Sequence, residues 1–205
     1  LDVALDSSPT VQHVIVVDRE GLKIETPMRK GRDHWWHDIV IGKDGAIATA
    51  EMNAEDAAIL LYTSGTTGEP KGCVWTHISF IGSMVTRDMI ICADFKSSDR
   101  FFFLSDMGWM VGACACIPSF AGASLLIAEG TPDFPDTGRF WRLIQDHRVS
   151  YLGVSPTIVR SLMRYGTQDV ERHDLSSLRM TASGGEAWTN APWQWFFEHV
   201  CKRKL

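Results

Sequence analysis

Short, almost wholly apolar runs alternate along this chain with stretches in which apolar residues return every three or four positions. The runs "VIVV" (14–17), "DAAILLY" (56–62), "FFFL" (101–104), "SLLIA" (124–128), "VSYLGV" (149–154) and "LRMTA" (178–182) have the length and composition of buried strands. Between them the spacing turns helical. Ile81, Met84, Val85 and Met89 predict a helix over 77–91, and Phe140, Leu143, Ile144 and His147 define the inner face of another. Ser155 followed by Pro156 predicts a helix start, serine as N-cap and proline in the first helical position, ahead of a core face of Ile158, Val159, Leu162 and Met163. Asn190 reads as the cap of a last helix whose apolar side is Trp193, Phe196, Phe197 and Val200.

Strands that are apolar throughout need cover on both faces, and strands that alternate with helices tend to run parallel. The pattern therefore predicts an α/β fold of layered, largely parallel sheets flanked by helices. The segment "RKGRDHWWHDIV" (29–40) keeps neither period and is expected to be a connection anchored by its tryptophans. Its His34 and His37 are three apart with no third soft ligand beside them, which disfavours a zinc site.

Composition narrows the function classes. Of the 205 residues, 45% are hydrophobic and 22% charged, which suits a developed core and argues against general disorder. The formal net charge is −5 and the basic residues are scattered, which argues against a surface that tracks nucleic acid. The run Lys202, Arg203 and Lys204 is too short to alter this and reads as a solvated end. Five cysteines, with Cys114 and Cys116 one residue apart and no second pair, suit a reducing compartment, the cytoplasm or an organelle matrix. The apolar runs are far shorter than a membrane span, and no signal segment is recognised.

The stretch "YTSGTTGEPKG" (62–72) departs from this strand-and-helix pattern. It lacks the spacing of the P-loop and of the dinucleotide fingerprint. Its residues nevertheless suit phosphate: Gly65 and Gly68 let the backbone approach an oxyanion, Ser64, Thr66 and Thr67 offer hydroxyls, and Lys71 carries a mobile positive charge. Placed between the 56–62 strand and the 77–91 helix, the loop would aim backbone N–H groups at a bound anion. An ordinary polar connection remains the alternative, and no nucleophile elbow surrounds Ser64.

Taken whole, "ILLYTSGTTGEPKG" (59–72) closely resembles the phosphate-loop signature of the adenylate-forming acyl-CoA synthetases, the superfamily that includes firefly luciferase and nonribosomal adenylation domains. The stretches "SDMGWMVG" (105–112), "EGTPDFPDTGRFWRLIQDHRVSYLGVSPTIVRSLMRYG" (129–166) and "HDLSSLRMTASGGEAWTNAPWQWFFEHV" (173–200) are similar to its acetyl-CoA and acetoacetyl-CoA synthetase branch. The resemblance implies a ligase that joins a carboxylic acid to ATP as an acyl-adenylate and then passes the acyl group to coenzyme A. It implies that Thr63, Ser64, Gly65, Thr66, Thr67 and Gly68 wrap the β- and γ-phosphates, with Lys71 and Thr67 as the catalytic pair and Thr67 as a ligand of Mg2+. Gly185 and Glu186 would lie beside the adenine, in a turn where Ala187 replaces the usual proline. Trp109, Met110 and Val111 would form a wall of the acyl pocket. Gly184 stands where the acetyl-specific branch carries valine, which favours acids longer than acetate, such as propionate, a branched short acid or acetoacetate.

The resemblance further implies that these residues are the central part of the AMP-binding domain of a longer enzyme. Residues 1–55 would close the preceding region, and 56–205 would carry the phosphate loop, acyl pocket and adenine turn. The C-terminal lid with its lysine, the ribose-binding aspartate and most coenzyme A contacts would lie beyond. On that expectation the isolated chain is inactive. Two other readings stand beside this one: a non-catalytic ATP/AMP-binding or structural remnant of the fold, and a different adenylate-forming enzyme.

Overall fold

The computed structural model of the chain describes residues 2–18, 26–43, 45–63, 68–106, 108–110, 112 and 116–204. It divides into two compact units, Leu1–Glu51 and Met52–Leu205. The first contains α1 (Asp2–Asp6), β1 (Val14–Val16), β2 (Asp33–Trp35) and α2 (Trp36–Val40). Strands β1 and β2 pair in parallel, Ile15 opposite His34. The 29–40 segment thus supplies a strand and a helix where a connection was expected, because a distant partner strand overrides its mixed local pattern. His13 Nδ1 lies 3.2 Å from His34 Nε2, while His37 stacks on Trp35. "VIVV" is a strand but not a buried one: Ile15 is 54% exposed and no described residue of this unit is buried. Two strands of three residues bring no second layer to cover them.

The second unit opens with β3 (Ala57–Thr63) and β4 (Lys71–Thr76), an antiparallel hairpin in which Thr63 lies opposite Lys71. The chain then enters helix α3 (Ser79–Cys92), wound in the wide π form. A reciprocal pair of bonds sets this entry: Thr76 N–H donates to Ser79 Oγ (2.9 Å) and Ser79 N–H donates to Thr76 Oγ1 (3.2 Å), the logic of a capping box. The order at the glycine-rich segment is therefore strand, loop, strand, and the helix starts only after β4. The predicted buried strand 56–62 is largely exposed, Leu60 at 54% and Tyr62 at 68%. A hairpin covered on one face needs only that face apolar, and here Ile59 and Trp75 pack against Phe80 and Val85 of α3.

The main sheet consists of β5 (Arg100–Phe103), β6 (Ser124–Leu126), β7 (Tyr151–Val154) and β8 (Met180–Ser183), parallel throughout and ordered β6-β5-β7-β8. Around it lie α4 (Ile117–Ala121), α5 (Arg139–Asp146), α6 (Pro156–Met163), α7 (Gln168–Arg172), α8 (Asn190–Trp195) and the π-wound α9 (Phe196–Val200). Side chains alternate across the pleat and build two cores. Phe102, Leu152 and Val154 meet Phe140 and Ile144 of α5, Val159 and Leu162 of α6, and Phe196 and Val200 of α9. Phe101 and Tyr151 meet Phe95 on the other face, with Met89 of α3 packed against them. This is the layered, parallel α/β arrangement that the apolar runs predicted. All four residues of β7 are buried, as a central strand with helices on both sides must be. A Cβ on Gly153 would stand 1.9 Å from the Phe103 ring, so glycine there lets that ring lie across the sheet.

Ser155 caps α6 as predicted, its Oγ accepting from Ile158 N–H. The last helix differs in detail: Thr189 occupies the cap position, Asn190 begins the helix, and Trp193 is 49% exposed. Among the described residues no helix is long and apolar enough to cross a membrane.

One charged group lies inside this unit. Asp99, Ser150 and Arg179 immediately precede β5, β7 and β8, and Asp99 is only 2% exposed. Its carboxylate accepts from Ser150 Oγ (2.7 Å), Lys96 N–H (2.8 Å) and both Nε (2.7 Å) and Nη2 of Arg179. Burial pushes its pKa up, but Arg179, Ser150 and the Lys96 amide together outweigh that and hold it below the ordinary value. The three strands are clamped at their amino ends.

Candidate active site

The register that fixes the amino ends also fixes the opposite edge. Phe103 pairs with Gly153, and Val154 with Ser183, so β5, β7 and β8 deliver residues 104–106, 155–157 and 184–187 to one border of the sheet. From β5 the chain moves outward to β6, then returns past β5 to β7 and on to β8. The sheet reverses its direction of growth between β5 and β7. In parallel α/β sheets a ligand crevice forms at such a reversal, outside the carboxyl ends of the strands.

On the β5 side, Asp106 shapes the exit. Its Oδ1 accepts from Gly108 N–H (2.7 Å), and its carbonyl accepts from Trp109 N–H (3.1 Å). This tight turn presents Trp109 at 70% exposure, with Met110 beside it at 39%. Trp109 is therefore no core residue, and its indole is open to a ligand. Val111 lies outside the described residues. Between the sheet and α3, Met84, Met89, Phe101, Phe103, Tyr151 and Ala182 line an apolar cavity of about 160 Å3.

On the β8 side, the turn 184–186 is built from two glycines. Gly185 has φ +97°, a left-handed conformation that glycine adopts without strain. A Cβ on Gly184 would meet nothing within 4 Å. Trp188 Nε1 donates to Ser183 Oγ (2.9 Å) and closes the base of the turn. Glu186 turns toward the start of α6: its Oε1 accepts from Thr157 N–H (2.8 Å) and Thr157 Oγ1, and its Oε2 accepts from Arg160 Nη2 (2.5 Å). These donors, Thr157 foremost and then Arg160, hold its pKa below the usual value.

The phosphate-loop candidates sit on the hairpin. Thr63 ends β3, Lys71 begins β4, and the backbone pair between them closes the mouth of the loop. Gly68, with φ +91°, turns the chain back toward Lys71. The Lys71 side chain is exposed, and no described residue pairs with its ammonium group. Ser64, Gly65, Thr66 and Thr67 lie outside the described residues. The hairpin packs on α3, and α3 packs on the sheet through Met89. The segments that carry Trp109 and Met110, and Gly184, Gly185 and Glu186, therefore leave the sheet at the same edge, while Thr63 and Lys71 lie opposite each other on the hairpin. Sequence reasoning missed Thr157 and Arg160. The one available signal was the Ser155–Pro156 helix start, which does not show that the next strand's turn docks on it.

A parallel α/β sheet with a glycine turn and an exposed tryptophan at its reversal point, and a hairpin whose loop ends at Lys71, is the arrangement in which α/β proteins form a ligand crevice. The profile of the family described as "AMP-binding enzyme" matches residues 1–205, and the chain belongs to that family, in its acetyl-CoA-synthetase-like branch. Acetyl-coenzyme A synthetase of Rhodopirellula baltica is 38% identical over 202 residues, covering 98% of this chain and 30% of the relative. Acetyl-coenzyme A synthetase of Gemmatimonas aurantiaca is 39% identical over 205 residues, covering 97% and 31%. The fold is also that of an acetoacetyl-CoA synthetase from Streptomyces lividans (TM-score 0.75, 24% identity, 98% of this chain and 30% of that one). The chain spans about 30% of the length of these relatives.

Proposed function

We propose that this chain carries the acyl and nucleotide sites of an acid–thiol ligase, which converts a carboxylic acid, ATP and coenzyme A to acyl-CoA, AMP and diphosphate through an acyl-adenylate. The observation that carries this reading is that the segments leaving β5 (104–106) and β8 (184–186) start from one sheet edge, either side of β7. A carboxylate held by the first could then meet a nucleotide held by the second. Lys71, at the mouth of the loop, supplies positive charge for the phosphates, and such a contact accelerates the reaction when it tightens as charge moves onto the departing diphosphate. Mg2+ arriving on a triphosphate takes most of its ligands from phosphate and water, so one hydroxyl, Thr67 in this proposal, serves as its protein ligand. Among the described residues no cluster of three His, Cys, Asp or Glu stands ready to hold a metal. When bound, the ion neutralises phosphate charge and polarises the phosphorus that is attacked. The proposed setting is the cytoplasm or an organelle matrix, on the odd number of cysteines in the sequence.

The proposed acid is short: acetate, propionate or acetoacetate. Diphosphate exchange measured on the full-length protein with ATP, Mg2+ and a series of short acids tests the reading. Exchange that depends on one of these acids supports it; a folded full-length protein that exchanges with none overturns it. Gly184 is the proposed opening of the acyl pocket, and its environment has room for a side chain. Gly184→Val is expected to fold normally and to shift preference toward acetate by roughly 10- to 100-fold in kcat/KM, the range of one methylene-sized mismatch. An unchanged acid profile would remove Gly184 from the pocket.

A further inference from the structure

Glu186 lies in the turn proposed to face the nucleotide, yet its carboxylate points away to α6. Oε1 receives two donors, the backbone N–H and the hydroxyl of Thr157, and Oε2 receives Arg160 Nη2. Arg160 Nη2 also donates to Thr157 Oγ1 (2.7 Å). A carboxylate only accepts, so the Thr157 hydroxyl proton must point at Glu186 while its lone pair faces Arg160. The three side chains form a closed ring in which Arg160 donates twice, Thr157 accepts once and donates once, and Glu186 accepts twice. The ring joins residues 29 and 26 positions apart in sequence, from α6 after β7 to the turn after β8. It is charge-assisted, which makes its bonds stronger and more directional than neutral ones.

The turn itself offers little resistance to motion. Gly184 and Gly185 have no Cβ, the space around both is open, and residues 183–187 are exposed. Two tethers hold it: Trp188 to Ser183 at its base, and the Glu186 ring at its tip. With three of its acceptor positions taken, the Glu186 carboxylate is committed to anchoring.

We propose that Thr157 and Arg160 are positioning residues that act through Glu186, pinning the Gly184–Ala187 backbone in the place where it meets the nucleotide, so that backbone and not the glutamate side chain forms that contact. This rests on the nucleotide-facing reading of the turn. Arg160 and Glu186 are about 38% and 37% exposed, so their replacement leaves the core intact.

The test uses the full-length protein and two readouts. Hydrogen exchange at the amides of 184–187 is followed without nucleotide, and diphosphate exchange gives separate KM values for ATP and acid. Arg160→Ala is expected to speed exchange at these amides and to raise KM for ATP, each on the order of tenfold, with a smaller rise in KM for the acid because Gly184 of the same turn is the proposed opening of the acyl pocket. Arg160→Lys should recover part of both, and Thr157→Val should follow Arg160→Ala. Adding Glu186→Ala to Arg160→Ala should cost little more, because residues that act as one unit are not additive. Unchanged amide exchange in Arg160→Ala would overturn the anchoring. Faster exchange with an unchanged KM for ATP would instead overturn the nucleotide-facing reading of the turn while the anchoring stands.

Discussion

Replacing Lys71 with alanine in the full-length protein is expected to lower acid-dependent diphosphate exchange by about a hundredfold, the scale of losing one charge-stabilising donor at a reacting centre. Thermal stability should barely move. Lys71 is exposed, no described residue pairs with its ammonium group, and its contribution to β4 is the backbone pair with Thr63, which alanine retains. An exposed substitution of this kind changes stability by no more than about 0.5 kcal/mol. Lys71→Arg keeps the charge but presents a planar fork in place of a compact ammonium, so partial activity is expected. Parallel losses of exchange and of melting temperature in Lys71→Ala would assign the lysine to the hairpin's structure instead of the chemistry.

Asp99→Ala should have the largest effect on folding. The substitution strips Arg179 and Ser150 of a partner and leaves the guanidinium partly enclosed, with Arg179 at 30% side-chain exposure. Breaking such a pair costs about 3 kcal/mol, a large share of the roughly 5–15 kcal/mol that stabilises a typical domain. The clamp also makes a pH-dependent contribution. Because the folded-state pKa of Asp99 is depressed, its stabilisation is fully present above the unfolded carboxyl value near ~4 and is lost as pH falls through the folded value. Urea unfolding from pH 7 to pH 3 should therefore show a steeper loss of stability in the wild type than in Asp99→Asn. Equal slopes would show that this carboxylate does not govern acid unfolding.

Much of this protein is legible one residue type at a time. The runs "FFFL", "SLLIA", "VSYLGV" and "LRMTA" became β5, β6, β7 and β8, and the apolar run is fully buried only in β7, the strand covered on both faces. Ser155 and Pro156 start α6 because capping is a local interaction that four consecutive residues settle. Burial proved less legible where covering layers are few. "VIVV" and "DAAILLY" look as apolar as the core strands, but their exposure depends on what packs against them, and a two-stranded pair or hairpin brings little cover. The 77–91 helix stands where its spacing placed it, but the same limit hid the strand before it: Lys71–Thr76 carries a mixed pattern, and it is β3, pairing across the loop, that draws it into a strand.

The candidate site divides along the same line. The sequence by itself determined the kinds of residue available, the glycines, hydroxyls and lysine of 63–71, the indole at 109 and the two-glycine turn at 184–185, because these follow from composition and local conformational freedom. Only the tertiary structure decided that segments 104–106, 155–157 and 184–187 share one edge, and that Glu186 is spent on Thr157 and Arg160. Those facts depend on strand order and register, which are set by contacts between residues tens of positions apart and leave no local signature in the chain.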